Sequence, residues 1–267
     1  MSEPFVLDAS FSTLRAESFT NDAVGRLVQN AVTGTGADTV SLDRTLVNSV
    51  DETTSQRLDS WKVTDQKHSG RCWEFAGLNV LRAKVIDELK VDDFQFSQNY
   101  IAFFDKLEKA NHTLSRATAT ASRDASEEEV RSIMDYPSED GGWWFQFTDI
   151  VAKYGLVPSR AMPDTESAGN TAQMNQALAT VLRRAIGRIR EAATNSDPAE
   201  GSAHMEAVRN EALNAVWRIL AIHLGTPPTS FMWQYRDKDK NFHRKGTYTP
   251  LKYAHEIVPQ ALSLIHI

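Results

Sequence analysis

The run Gln66-Lys67-His68-Ser69-Gly70-Arg71-Cys72-Trp73-Glu74-Phe75-Ala76 sets the only cysteine of the chain at the start of a helical pattern. From Cys72 to Leu89 there is no proline, and Gly77 is the only glycine. Trp73, Ala76, Val80, Ala83 and Ile86 make one apolar stripe, and Phe75, Leu78, Leu81, Val85 and Leu89 make a second. A helix apolar on more than one face is expected to be buried through much of its length. Ser69-Gly70 supplies a flexible, cappable lead into it. A cysteine in a first helical turn meets orphan N–H groups and the positive end of the macrodipole, which favour the thiolate. The thiolate is the nucleophilic form. A lone cysteine is more often a buried, inert thiol, but Gln66 shifts the balance. Its amide and the Cys72 backbone N–H would make a two-donor oxyanion hole. Gly70 permits close backbone approach there, and Trp73 and Phe75 anchor the helix.

Outward from this run the pattern alternates helix and turn. Val24, Leu27, Val28 and Val32 predict a helix over Asp22 to Val32, broken by Thr33-Gly34-Thr35-Gly36. Ser126-Glu127-Glu128-Glu129 reads as a capping box before Val130, Ile133 and Met134, and Pro137 stops that helix. Asp140-Gly141-Gly142 is a turn. Trp143 to Tyr154 resumes helical spacing until Gly155 and Pro158. Met174 to Ile189 and Ala203 to Leu224 are two amphipathic helices joined by a loop over Thr194 to Gly201, a helical hairpin insertion. Phe231 to Tyr235, Arg236 to Lys240 and Asn241 to Arg244 read as strand, charged turn and strand, and Pro250 opens a short helix. Ala261 to Ile267 forms no recognisable C-terminal element, and a truncated frame or a non-native tail is expected there.

The 267 residues are 41% apolar and 24% charged, which argues against wholesale disorder. A chain this long buries roughly three quarters of its unfolded surface, so its core requires no disulfide or metal. A net charge of −6 excludes a globally basic nucleic-acid binder. One cysteine permits no intrachain disulfide and suits a reducing compartment. No apolar signal region follows Met1-Ser2-Glu3-Pro4, and no apolar run reaches membrane-spanning length, so the cytoplasm is expected. No cofactor is expected: Cys-x-x-Cys and His-Glu-x-x-His are absent, and Thr33-Gly34-Thr35-Gly36 lacks the lysine of a phosphate loop. Arg183, Arg184, Arg188 and Arg190 give one helix a basic face, read as solvated or as a subunit contact rather than a nucleic-acid site.

The Gln66 to Ala76 run resembles that of the papain-like cysteine peptidases, whose pattern is Gln, a glycine-containing loop, then Cys-Trp-x-Phe-Ala. Ser69-Gly70-Arg71-Cys72-Trp73 is similar to the branch holding bleomycin hydrolase and bacterial aminopeptidase C. Asn30-Ala31-Val32-Thr33, Asp59-Ser60-Trp61-Lys62-Val63-Thr64, Phe96-Ser97-Gln98-Asn99-Tyr100, Asp140-Gly141-Gly142, Lys153-Tyr154-Gly155-Leu156-Val157-Pro158 and Tyr235-Arg236-Asp237-Lys238-Asp239-Lys240 resemble it too.

The resemblance implies an α+β, papain-like fold with a helical insertion. It implies a thiol aminopeptidase with Cys72 as nucleophile and Gln66 as oxyanion donor. Gly141 and Gly142 would pair with the substrate backbone, where a side chain would block an extended peptide. It also implies peptide substrates and a homohexamer whose sites face an internal chamber. The family's general base is a His, oriented by an Asn. In the family both lie further toward the C-terminus than this chain extends, so the resemblance implies truncation before them, and none of His68, His112, His204, His223, His243, His255 and His266 is assigned to the role. The expected division is a papain-like part at 1–160, the hairpin insertion at 161–230 and the start of the remaining part at 231–267. Trp143 stands where the family tends to be polar, which would reshape the cleft. The alternative, which the lack of a visible base motivates, is a catalytically incomplete fragment or a non-catalytic interaction protein.

Overall fold

The computed structural model describes residues 9–50, 62–195 and 197–258. The polar stretch Asp51 to Ser60, Trp61, and the tail Ala261 to Ile267 with His266 lie outside the described residues. Two compact units divide the chain, residues 1–58 and residues 59–267.

The first unit holds helices α1 (Ala9–Thr20), α2 (Ala23–Thr35), α3 (Ala37–Ser41) and α4 (Arg44–Ser49). Asp22 caps α2 by accepting from Gly25 N, and Asp43 caps α4 by accepting from Thr45 N and Leu46 N. Helix α2 runs through Gly34 to Thr35, beyond the expected break, and stops at Gly36 with φ +85°. The Thr33 and Thr35 hydroxyls bond back to Gln29 O and Ala31 O, which lets these residues stay helical. The stripe Val24, Leu27 and Val28 is exposed.

The second unit is mostly helical, with one antiparallel hairpin. Its elements are α5 (Cys72–Leu89), α6 (Gln98–Ala119), α7 (Glu128–Asp135), α8 (Trp144–Tyr154), a 3-10 turn at Ser159–Ala161, α9 (Glu166–Gly169), α10 (Ala172–Ala192), α11 (Pro198–Leu224), β1 (Phe231–Arg236), β2 (Phe242–Tyr248) and α12 (Pro250–Ile257). Helix α6 is the hub, packed by α5, α7, α8, α10 and α11. Its Ile101, Phe103, Ala110 and Leu114 are fully buried against Leu78, Leu81 and Val85 of α5, Phe147 and Val151 of α8, and the inner faces of α10 and α11. Each such large side chain contributes about 1.5–3 kcal/mol on burial. On α5 only the Phe75, Leu78, Leu81 and Val85 stripe, joined by Ile86, is core; Ala76 and Val80 face outward. The helix is therefore buried on one broad face, not all round. Gly77 sits where α5 meets α8, and a Cβ there would lie 2.9 Å from the Phe147 ring.

Conserving space is not the only role of the polar residues around α6. Ser97 caps it by accepting from Tyr100 N, and donates in turn to Met162 O. Asn99, wholly buried, donates to Pro163 O and Leu224 O, which ties the 162–163 segment and the end of α11 to the hub. Gly155 ends α8 at φ +81° and lies against the backbone of Pro250, where any Cβ would be 2.3 Å away. Leu156 N then donates to Pro250 O, and Ser97 N to Val157 O.

Helix α11 begins at Pro198, inside the expected loop, because Pro198 takes the first helical position and Asp197 caps it through Ala199 N and Glu200 N. The capping box at Ser126 does not form. Glu127 occupies the cap position without a side-chain bond, Ser126 bonds to Asp124, and Glu127 and Glu129 pair with Arg123. The arginines of α10 dock within the chain: Arg183 donates to Met134 O and Asp135 O, and Arg190 to Thr120 O and Arg123 O. Strands β1 and β2 pair from Phe231↔Tyr248 to Arg236↔Phe242, with a bulge at Trp233/Gln234. Asp237 closes the turn by accepting from Asn241 N, and Lys240 adopts φ +67°. Among the described residues, no helix is long and apolar enough to cross a membrane.

Candidate active site

Cys72 is the first residue of α5 and is exposed. The lead into the helix is not capped as the Ser69-Gly70 pair suggested. Arg71 holds the cap position and no side chain caps the helix N-terminus. Ser69 Oγ instead donates to Gln66 O at 2.6 Å and accepts from Arg71 Nε at 2.9 Å, folding the loop back on itself. Arg71 is 4% exposed and grips Asp164 with both terminal nitrogens, at 3.0 and 3.1 Å. This bidentate pair and the His68 N–Gly169 O and Thr171 N–His68 O bonds fasten the cysteine loop to the segment before α10. Two further bonds lay the preceding segment along α5: Asn79 donates to Thr64 Oγ1, and Arg82 to Lys62 O. Gln66 is half-buried, and its Oε1 is buried without a hydrogen-bond partner among the described residues.

The Asp140-Gly141-Gly142 turn packs directly on this loop. Gly141 N donates to Gly70 O at 3.2 Å. A Cβ on Gly70 would lie 2.2 Å from Asp140 Cβ. Gly70 thus serves the contact between two loops. Gly142 is flush against the indole of Trp73, where a Cβ would come within 2.6 Å of the ring. The protein side therefore asks for glycine here, in addition to the substrate side that the resemblance implies. Gly141 has open space around it but φ +83°, so there the backbone conformation asks for glycine. Gly141 O accepts from Lys109 Nζ, so Gly141 engages both its backbone groups within the protein. No described hydrogen bond uses the N–H or carbonyl of Gly142. Trp143, Trp144 and Phe145 follow it, all exposed.

Beneath the turn lies a charged cluster that the sequence analysis missed. Lys106 Nζ donates to Asp140 Oδ1 at 2.6 Å and to Glu139 O at 3.1 Å. Lys109 Nζ donates to Asp105 Oδ2 at 2.8 Å and stands 5.3 Å from the centre of the Trp73 ring. Asn175 adds a donor to Asp140. Burial pushes the Asp140 carboxyl up, but Lys106, its hydrogen bond, Asn175 and Lys109 together hold it below the usual carboxylate range. Glu74 is wholly buried. Burial, reinforced by Asp105, pushes it well above the usual range against the pull of Arg71, Lys109 and Lys106. Burial raises Asp105 as well.

Gly70→Ala and Glu74→Gln test these contacts, with Gly187→Ala as a reference away from them. Gly70→Ala is expected to destabilise the protein by about 1–3 kcal/mol, because the methyl must displace Asp140. Gly187→Ala, in the open on α10, is expected to stabilise it by about 0.5–1 kcal/mol. Urea denaturation of both variants checks the opposite signs. Glu74 has a raised folded pKa, so the native state holds its proton above the unfolded value, and stability falls as pH rises from there. Glu74→Gln is expected to flatten that decline above about pH 4.5 and raise the melting temperature at neutral pH. A parallel melting-temperature profile in the variant would contradict the assignment.

The histidines have other employment. His68 is exposed and bound through its backbone, and His112 is exposed in a cavity of about 300 Å3 between α6 and α8. His223 Nδ1 lies 2.9 Å from Ser167 Oγ, while His243 bonds Asp237 and stacks on Tyr235. His204 and His255 are exposed.

Comparison with known proteins shows the family and the fold. Residues 7–264 match the model of the Peptidase C1-like family. Aminopeptidase C of Lactobacillus helveticus is 36% identical over 212 residues, 78% of this chain and 46% of that protein. Human bleomycin hydrolase (Homo sapiens) is 37% identical over 198 residues, 73% of this chain and 43% of that protein. The crystal structure of PepW from Lactobacillus rhamnosis superposes with a TM-score of 0.84 at 33% identity, covering 97% of this chain and 57% of that one. The chain thus spans about half the length of the curated relatives it matches. With a papain-like fold in which the lone cysteine opens the hub-packed helix α5, the chain belongs to the Peptidase C1-like family, in the branch of aminopeptidase C and bleomycin hydrolase.

Proposed function

We propose that the protein is a cytoplasmic cysteine aminopeptidase that cleaves short peptides through an acyl-enzyme on Cys72. The observation that carries this reading is the exposed thiol at the uncapped N-terminus of α5, with Gly142, whose backbone groups have no hydrogen-bond partner among the described residues, packed on the indole of the next residue, Trp73. In the proposed reaction the Cys72 thiolate attacks the scissile carbonyl. The Cys72 N–H and the Gln66 amide donate to the oxyanion that forms. The tetrahedral intermediate collapses to a thioester as the amine leaves with a proton, and water then releases the acid and restores the thiol. Gly142 N–H and carbonyl pair with the extended substrate beside the attacked bond. The proton transfers require a base, a role that none of the described histidines is given. The lone cysteine supports a reducing compartment, the named relatives support peptide substrates, and the homohexamer rests on the family resemblance alone.

The test is release of free amino acids from unblocked short peptides by the full-length protein. Release that stops when the thiol is alkylated is expected. Release that survives alkylation of Cys72 would overturn the reading.

A further inference from the structure

We infer that Lys109, with Lys106 beside it on α6, is a positioning residue that sets the peptide-pairing backbone of Gly142 against Cys72; this rests on the proposed role of the Gly141–Gly142 pair. The 139–142 turn is mostly polar and half-buried to exposed, so apolar packing does little to fix it. Gly141 has a positive φ and no neighbour that a side chain would touch, so the peptide plane between the two glycines is held by one hydrogen bond, that of Gly141 O. Lys109 supplies that bond and Lys106 holds the preceding residues through Glu139 O and Asp140, and both lysines are withdrawn from water. The Lys106 side chain is 6% exposed and that of Lys109 17%. Buried ammonium groups are costly unless paired and hydrogen-bonded. Here Asp140 and Asp105 supply the pairing, and the remaining donors go to the carbonyls of Glu139 and Gly141.

The Lys109 ammonium has three neighbours at once. It holds the carbonyl of the first glycine, it is steered by Asp105 one turn earlier, and it lies over the indole that abuts the second glycine and follows the nucleophile in sequence. Fixing Gly141 O from one side and Gly141 N through Gly70 O from the other leaves Gly142 with one orientation toward the cleft. Without the lysine, Gly141 O is freed and the 141–142 plane can turn, while Cys72 and its helix stay in place. The consequence is specific: peptide-like ligands lose their backbone partner, and small thiol reagents do not.

The experiment uses the full-length protein and two alkylating probes of Cys72. Iodoacetamide needs only the thiol, and a dipeptidyl chloromethyl ketone with a free amine also needs the peptide groove. The ratio of the two inactivation rate constants is measured for the unaltered protein, Lys109→Met and Lys106→Met. Lys109→Met is expected to lower the ratio by roughly tenfold, the scale of one lost charge-assisted hydrogen bond. Its iodoacetamide rate is expected to stay near that of the unaltered protein, and Lys106→Met to lower the ratio less. A ratio unchanged in both variants would overturn the inference. Loss of the fold in both would overturn it too, since the lysines would then hold the core and not the turn. If the unaltered protein shows no preference for the peptidyl probe, it is the proposed peptide groove that fails.

Discussion

Cys72→Ala in the full-length protein is expected to bring peptide hydrolysis down to background, a loss on the order of 10⁶-fold in kcat. The size follows from the chemistry: no other thiol in these 267 residues can form the thioester, and removing a nucleophile forfeits the whole covalent route. The variant is also expected to fold normally. Cys72 is exposed, and its position at the start of α5 is secured by its neighbours Arg71, Ser69 and Phe75 and not by its own side chain. Equal melting temperatures with abolished turnover separate chemistry from folding. Turnover above about one hundredth of the original rate would contradict the nucleophile assignment.

Gln66→Ala is expected to cost ~10²–10³-fold in kcat with little change in KM, the pattern of a donor used mainly at the transition state. The loop should survive the change, because Ser69 holds the Gln66 backbone carbonyl and not its side chain. The free donor at the other half of the hole is the Cys72 N–H, left uncapped at the helix terminus. The two donors are expected to act together, so losing one leaves a weakened hole and not an absent one. A loss below about tenfold would demote Gln66 to a structural part of the loop.

Much of the site was legible because its chemistry is local. A cysteine, an upstream Gln and a glycine between them occupy seven consecutive residues, and helix α5 is delimited at Cys72 and Leu89 by the absence of breakers. The hairpin β1–β2 and the α10–α11 pair also carried their own periodicity and turn residues. Helix α6 did not. Asp105, Lys106 and Lys109 fall among Ile101, Phe103, Phe104 and Leu107, and charged residues read as a solvated face. In the structure they are withdrawn from water, because Lys106 and Lys109 reach Asp140 and the carbonyls of the distant 139–141 turn, and Asp105 pairs with Lys109 one turn along the same helix. The reason for glycine at 142 was hidden in the same way, since Trp73 approaches it across about seventy intervening residues. Local caps at Ser69 and Ser126 misled because both hydroxyls found partners in their own loops, while Arg71 and Glu127 took the cap positions. Interactions within a turn of helix are written in the sequence; which distant carboxylate or carbonyl satisfies a buried lysine is decided by the packed fold.

The most direct measurement is a titration of the full-length protein with the dipeptidyl chloromethyl ketone, following aminopeptidase activity and locating the label by mass spectrometry. One thioether on Cys72 per chain, with activity falling in proportion and reaching zero at full labelling, is the predicted result. Activity that persists on chains fully labelled at Cys72, or that vanishes while Cys72 is unlabelled, would contradict the account.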